Sequence, residues 1–533
     1  MTTAIQPAQP EQVELAQKDP KKYLPNGARR ITIWNGLGFG VGDVFGGGSG
    51  ALTGTYLSLF LTSFAGLSIA QAQSIQGVAT MLSAVTAIII GGLSDSMYKF
   101  KIGRKLGRRR MFILLGAPLL VLGMGMWLPG FSYWFYFASF FCWTVTLQII
   151  MIPYATLPSE MTTDFNGRTI LSTTRMFMSG LAGSLVPIVG AALLNTLGNH
   201  AGTYTVIGVG IITVFILCVL CVYFTTWERK PEELDPEDVA TGEKKTMREH
   251  LSTIGHVMLS YLSTLRVRAF RQHMAIYLIA LTFVEMFMNV FMFFTIYAWN
   301  ETAAFASLLL SLGVIWMPAS PLQGWLFSKL GANGLYSVTF AGTILGIVSF
   351  YFLHLAQGTI PDHTWVIVTM VVFALFLFFK GLIYFVPWQV FPFIPDVDEI
   401  MTRRRREGVF SSMMRFLRVL TQGLGAMFIG FFLQNVGFNA TKKQQTPEAL
   451  NGLITLSVWI VIAGLAVAWA ISLTLRLNKK THAVLIGEID RLKAGGSKAD
   501  VKPEVRKVVE NLTGIKYDKC WPDEPAAKTA TVQ

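Results

Sequence analysis

The chain has 533 residues, 52% of them hydrophobic and only 14% charged, where soluble globular domains carry about 25% charged residues. That balance excludes intrinsic disorder, and four cysteines in so long a chain exclude a disulfide scaffold. The formal charge of +13 lies between apolar runs, so it reads as a record of membrane topology and argues against nucleic-acid binding.

At about 20 residues per spanning helix, twelve spans fit within the length. Residues 1–32 are polar, carry Lys18, Lys21, Lys22, Arg29 and Arg30, and lack the small-residue cleavage pattern of a secretory signal. They read as a cytoplasmic tail. A first six-span half, 33–226, follows, with spans near 33–63, 70–93, 111–130, 133–156, 171–196 and 203–226. Residues 227–272 are charged, hold no spanning run, and read as a cytoplasmic linker. The second half, 273–475, has spans near 273–299, 303–329, 335–357, 363–392, 409–436 and 450–475. In the tail 476–533, Val484, Leu485, Ile489 and Leu492, then Val501, Val505, Val508, Val509 and Leu512, recur at helical spacing. They predict two short amphipathic helices docked on the protein's own loops.

Orientation follows from the loops. Loop 2-3 holds Lys99, Lys101, Arg104, Lys105 and Arg108 to Arg110, and loop 10-11 holds Arg403 to Arg406, whereas residues 198–202 and 357–362 hold no Lys or Arg. Positive loops stay inside, so both termini are expected in the cytoplasm, beneath a cell (inner or plasma) membrane. Two six-span halves joined by a charged linker predict an all-α secondary transporter, with a substrate site near the midplane between the halves. The chain has no Gly-x-x-x-x-Gly-Lys-Ser/Thr run, which argues against an ATP-driven pump, and no enzyme chemistry is expected.

The run Gly91-Gly92-Leu93-Ser94-Asp95, followed by a basic loop ending Gly107-Arg108-Arg109-Arg110, resembles the loop 2-3 signature of the major facilitator superfamily. Ile152-Pro153-Tyr154-Ala155-Thr156-Leu157 with Glu160, Asp164 and Arg168, then Arg175-Met176-Phe177, resembles a passage of the glycoside-pentoside-hexuronide:cation symporters typified by the melibiose permease. Pro395-Asp396-Val397-Asp398-Glu399 with Arg405-Arg406-Glu407-Gly408, and Ser63 to Ser68 after span 1, are similar to two further stretches of that family. The resemblance runs over roughly residues 35 to 435 and implies the major facilitator fold, sugar transport by alternating access, and a cytoplasmic gate built from Asp95, Arg108, Arg109, Arg168, Asp396, Asp398 and Arg406.

A charge inside a span costs about 2.5–3.5 kcal/mol, so intramembrane ionisable residues are functional candidates. Asp43 lies near the middle of span 1, where the resemblance places a sugar-binding aspartate, and a carboxylate can accept from two vicinal hydroxyls. Arg175 matches a sugar-contacting arginine, and Arg418 stands where the family commonly has a lysine. Asp43 can pair with either. Gln148 and Trp388 complete the expected substrate contacts; Trp143 and Trp388 alike can stack on a sugar's apolar face or serve as packing. Coupling falls to Glu285, Asp43 or Lys380; Glu285 reads equally as a proton carrier or as a carboxylate permanently paired with Lys380. Cation-coupled relatives place aspartates where this chain has Ser83, Ala87 and Met151, which argues against sodium and for a proton as coupling ion, or for no coupling.

The sequence therefore predicts a sugar or glycoside transporter, with a hexuronide as the acidic variant. It needs no cofactor or metal, acts as a monomer, and has the lipid bilayer and a small-molecule substrate as partners. The alternatives are a lysophospholipid transporter of the same fold and a membrane sensor that has lost transport.

Overall fold

The computed structural model describes residues 29–95, 97–99, 101–162, 164–228, 261–404 and 406–522. The start of the N-terminal tail, most of the linker and Arg405 lie outside the described residues. Among the described residues, ten helices, from Ile69–Gly91 to Pro447–Thr474, are long and apolar enough to cross a membrane, and Ala303–Trp316 is a shorter apolar helix. Satisfying every backbone group internally is what makes a helix the form such runs take in lipid.

Span 1 is built differently. It runs as Ile33–Gly40, Gly42–Leu52, a π-helical turn Thr53–Leu57 and Ser58–Ser63, with Val41 between the first two pieces. Glycine is a poor helix former, about 1 kcal/mol worse than alanine per residue, and this span is dense in it. What glycine gives in return is close approach. A Cβ on Gly40 would meet the backbone of Thr174 at 2.9 Å, one on Gly42 the Tyr154 ring at 2.6 Å, and one on Gly48 the Phe215 ring at 2.8 Å. Neighbouring helices therefore press against the span 1 backbone.

Spans 4, 5 and 10 are Tyr133–Met161, Phe165–Leu197 and Asp362–Val390, each with proline inside. Span 8 departs from the uninterrupted run expected at 303–329. Helix Ala303–Ser311 gives way to a 3-10 stretch, Leu312–Ala319, around Pro318, and the helix then resumes. Proline removes a backbone donor and clashes with the preceding turn, which accounts for the interruption. Gly331, at φ 65°, separates spans 8 and 9, a left-handed conformation that suits glycine.

Contacts divide the chain into two units. One comprises Met1–Glu243 with Thr302–Met317 and Asn439–Lys443; the other comprises Lys244–Glu301, Pro318–Phe438 and Gln444–Gln533. Aromatic side chains dominate the second core, where Phe287, Phe291, Phe350, Phe373 and Phe376 cluster around Trp299 and Trp365. In that unit, span 10 is followed by a short helix within loop 10-11, Ile394–Thr402, before span 11, Glu407–Asn435. The tail forms the two helices expected, Lys479–Lys493 and Pro503–Thr513, with Leu485, Ile489, Leu492, Val509 and Leu512 buried.

Candidate functional site

In the first unit, the break at Val41 puts Asp43 in the first turn of Gly42–Leu52, where exposed N–H dipoles favour a carboxylate. Asp43 is buried and forms an ion pair with Arg175 of span 5. Tyr154 braces this pair. Its hydroxyl donates to the Phe39 carbonyl at 2.9 Å, its ring stacks on Phe39, and the Arg175 guanidinium lies 5.3 Å from its centre. Gly46 leaves room for the Asp43 carboxylate, with the Met151 methyl beside it. Of the two partners expected for Asp43, Arg175 is the one that takes it. Gln148, on the same span as Tyr154, is half-buried and makes no hydrogen bond among the described residues. Trp143 is packed edge-on against Phe45 and beneath Gly123, as a core side chain.

In the second unit, Glu285 of span 7 pairs with Arg418 of span 11 and accepts a hydrogen bond from the Tyr384 hydroxyl at 3.1 Å. Of the two readings of Glu285, a proton carrier or a carboxylate paired with Lys380, the second meets a different partner here, Arg418. Arg418 meets the carboxylate through one nitrogen, Nη2, on Oε1, whereas Lys380 on span 10 only contributes its charge nearby. Lys380 has no ion pair or hydrogen bond among the described residues. The cluster is also incompletely satisfied: Glu285 Oε2 and Arg418 Nη1 are buried without a partner. Buried polar atoms are seldom left so, and each of the two is an atom that a polar ligand could satisfy. Trp388 is 41% exposed and meets Tyr277 edge-to-face at 6.3 Å, on the same helix as Lys380 and Tyr384.

The expected gate residues separate into two networks. Arg108 donates to Glu160 at 2.5 Å, and Arg109 lies 3.4 Å from the same carboxylate, whose side chain is only 2% exposed. The Asp95 side chain lies outside the described residues. Arg168 is exposed and donates to the Thr162 carbonyl at 2.9 Å. Glu228, at the start of the linker, accepts from the backbone N–H of Arg109 at 3.0 Å and from that of Arg110. Burial raises the Glu228 carboxyl above its usual range, against the opposing effect of those amides. Its neighbour Trp227 donates to the Met161 carbonyl at 3.0 Å and carries the Arg29 guanidinium on its ring at 3.6 Å. In the second unit, Asp398 takes a two-pronged bond from Arg406, at 2.8 and 2.6 Å, and Arg406 also donates to Ser263 at 2.9 Å. Asp396 instead meets His482 of the tail at 2.8 Å.

Sequence reasoning missed Tyr154, Tyr384, Glu228 and His482. Tyr154 and Glu160 stood inside a quoted motif, and a carboxylate near an apolar helix end was the available signal for Glu160. Nothing local marks Tyr384 or Glu228, whose partners lie 99 and 118 or more residues away.

A family model described as MFS/sugar transport protein matches residues 38–479. The glucuronide carrier protein homolog of Escherichia coli strain K12 is 21% identical over 474 residues, covering 86% of this chain and 95% of its own. The uncharacterized symporter YjmB of Bacillus subtilis strain 168 is 23% identical over 475 residues, covering 86% and 96%. Among solved structures, a D-xylose-proton symporter superposes with a TM-score of 0.55 at 15% identity, over 83% of this chain and 96% of that one. A proton-dependent oligopeptide transporter gives 0.57 at 14%, over 83% and 98%. Two such different substrates on one scaffold locate the fold and leave the cargo to the site.

Proposed function

The chain belongs to the MFS/sugar transport protein family; it is a multi-pass secondary transporter and no enzyme, and we propose that its cargo is a sugar or glycoside, with a hexuronide the form its charges fit. The observation that carries this is the buried Asp43–Arg175 pair. A carboxylate accepts from vicinal hydroxyls and a guanidinium donates to hydroxyl or carboxylate, so the two together present both halves of a sugar's hydrogen bonding. The candidate charges support the acidic form: Arg175, Arg418 and Lys380 are basic, against Asp43 and Glu285. The named relatives include a glucuronide carrier homolog, which agrees with this reading.

A proton is the coupling ion in this reading, or there is none. Ser83, at a position where sodium-coupled relatives carry an aspartate, spends its hydroxyl on the Thr80 carbonyl, and Met151 packs near Gly46. Asp43 and Glu285 are both held by arginines. Lys380 is left as the coupling candidate without an ion-pair partner among the described residues, and a buried lysine exchanges its proton more readily than an arginine can. The basic loops face the cytoplasm of a cell membrane, and the chain works as a monomer.

The test is uptake into proteoliposomes of a labelled glucuronide and a neutral glycoside, with and without sodium and a proton gradient. The wild type should carry the glucuronide without sodium. Arg175→Gln should abolish carriage, while Lys380→Met should lose gradient-driven accumulation and keep downhill exchange. Sodium-stimulated uptake, or uptake indifferent to Arg175→Gln, would overturn the site assignment.

A further inference from the structure

The family match ends at residue 479, and a compact module begins there. Asn478 caps helix Lys479–Lys493 through both Lys480 and Thr481 amides, and the following helix, Pro503–Thr513, closes on the left-handed Gly514. Between them Glu488 is buried and tied to Arg491 at 2.7 and 3.0 Å and to the Tyr517 hydroxyl. The module has its own core and its own internal polar network, which a merely trailing terminus would not need.

It is seated on machinery inside the matched stretch. His482 meets Asp396 at 2.8 Å and Lys493 meets Glu399 at 2.6 Å, both on the loop 10-11 helix. The Trp521 amide donates to the Ile400 carbonyl at 2.7 Å, and Arg403 caps the arrangement with its guanidinium 5.1 Å from the Trp521 ring and a bond to the Pro522 carbonyl at 3.2 Å. At the other edge, Gly514 abuts Arg268 at the start of span 7, where a Cβ would come within 2.8 Å of the Arg268 side chain. The module thus fastens the loop 10-11 helix to the first turn of span 7.

We propose that this C-terminal module is a reversible clamp, an accessory to the transporter that restrains loop 10-11 and thereby slows its cycle until the module undocks. The contacts have the strength for that. The Lys493 side chain is 52% exposed, and an exposed ion pair is worth about 0–1 kcal/mol. The His482–Asp396 pair is more enclosed, at 21% and 8% exposure, so it holds the helix while the Lys493 edge is the one a competing interaction loosens first. The reading rests on the chain being a transporter only for its effect on rate.

Cys520 supplies the reporter. It is buried, and burial pushes its thiol up to about 11; because the thiolate is the reactive form, a maleimide should label it slowly at neutral pH while the module is docked. In full-length protein with Cys142, Cys218 and Cys221 changed to serine, Lys493→Glu should speed Cys520 labelling roughly fivefold, the shift expected from about 1 kcal/mol of lost contact. It should raise equilibrium sugar exchange with it and reduce hydrogen-exchange protection across Ile394–Thr402. The swap Lys493→Glu with Glu399→Lys should return all three toward wild type. Faster labelling with unchanged or slower exchange would overturn the restraint, and unchanged labelling together with unchanged protection would overturn the clamp. The protection measurement needs no substrate, so failure here is separable from failure of the sugar assignment.

Discussion

Asp43 and Arg175 share an ion pair but not their burial: the aspartate side chain is 7% exposed and the arginine 33%. Removing one partner of a buried pair costs about 3–5 kcal/mol, chiefly because the other charge is stranded. The stranded group therefore decides the cost. Arg175→Gln leaves a nearly enclosed carboxylate and should lower thermal stability in detergent by most of that range; Asp43→Asn leaves an arginine that is less enclosed and keeps the Tyr154 ring beside it, and should cost distinctly less. Asp43→Asn with Arg175→Gln should recover stability relative to Arg175→Gln alone while transport stays lost. Equal destabilisation by the two single variants would show that the pair is open to water on both sides. The sequence displayed these charges and hid their partners. Asp43 was open to Arg175 or Arg418, and Glu285 to Lys380, because residue spacing along one helix says nothing of which face of another helix it meets. The same chemistry would have favoured an arginine over an ammonium at Glu285, which is the pairing the structure has.

Span 1 shows what an element's composition can and cannot reveal. Its glycines fit either tight packing or a bare backbone along a cavity, and the structure resolves this residue by residue. A Cβ on Gly47 would strike the Ser179 carbonyl and hydroxyl, whereas one on Gly50 would meet nothing within 4 Å. Backbone cannot step aside as a side-chain tip can. Gly47→Ala should destabilise by about 1–3 kcal/mol, the usual penalty of overpacking, and Gly50→Ala should be neutral or stabilise by up to about 1 kcal/mol through helix propensity. Thermal melts of the two variants decide this, and a harmless Gly47→Ala would mean that spans 1 and 5 can separate without loss. In span 8, Pro318 was visible in the sequence and yet was read through. The lesson is that mean apolarity finds a span, whereas its interior breaks depend on single donors lost from the backbone.

At the scale of the molecule, the membrane character and the family were legible because they rest on repeated signals, apolar runs and several motifs in order, so that no one residue carried them. The docking of the tail was legible only as amphipathic helices; its seat on Asp396 and Glu399 depends on contacts 86 or more residues apart in the chain. Two carboxylates outside the spans, Glu488 buried and Glu228 half-buried, now give the molecule opposite responses to acid at two places. Burial opposes ionisation of Glu488, but the bonds from Arg491 and Tyr517 prevail and hold its carboxyl below the ordinary 4.5. A depressed carboxyl contributes stability in full above its unfolded value and loses it as pH falls through the lower folded one. Glu228 has the reverse sign: burial outweighs the amides of Arg110 and Arg109 and raises it above 4.5, so its contribution is present in acid and is lost as pH rises through the folded value. Lowering the pH from about 6.5 to about 3.5 should therefore loosen the tail module while the linker start stays fastened to loop 2-3. Hydrogen exchange, corrected for intrinsic rates, should show protection falling across Lys479–Lys493 and Pro503–Thr513 and holding at the Arg109 and Arg110 amides that bond Glu228. Glu488→Gln should remove the part of the tail's acid response that its own titration carries, leaving that of Glu510, which the Tyr517 amide also holds below 4.5. Simultaneous loss at both places would mean that acid acts on the bundle as a whole, and the two carboxylates would then have no local authority over the segments they tie down.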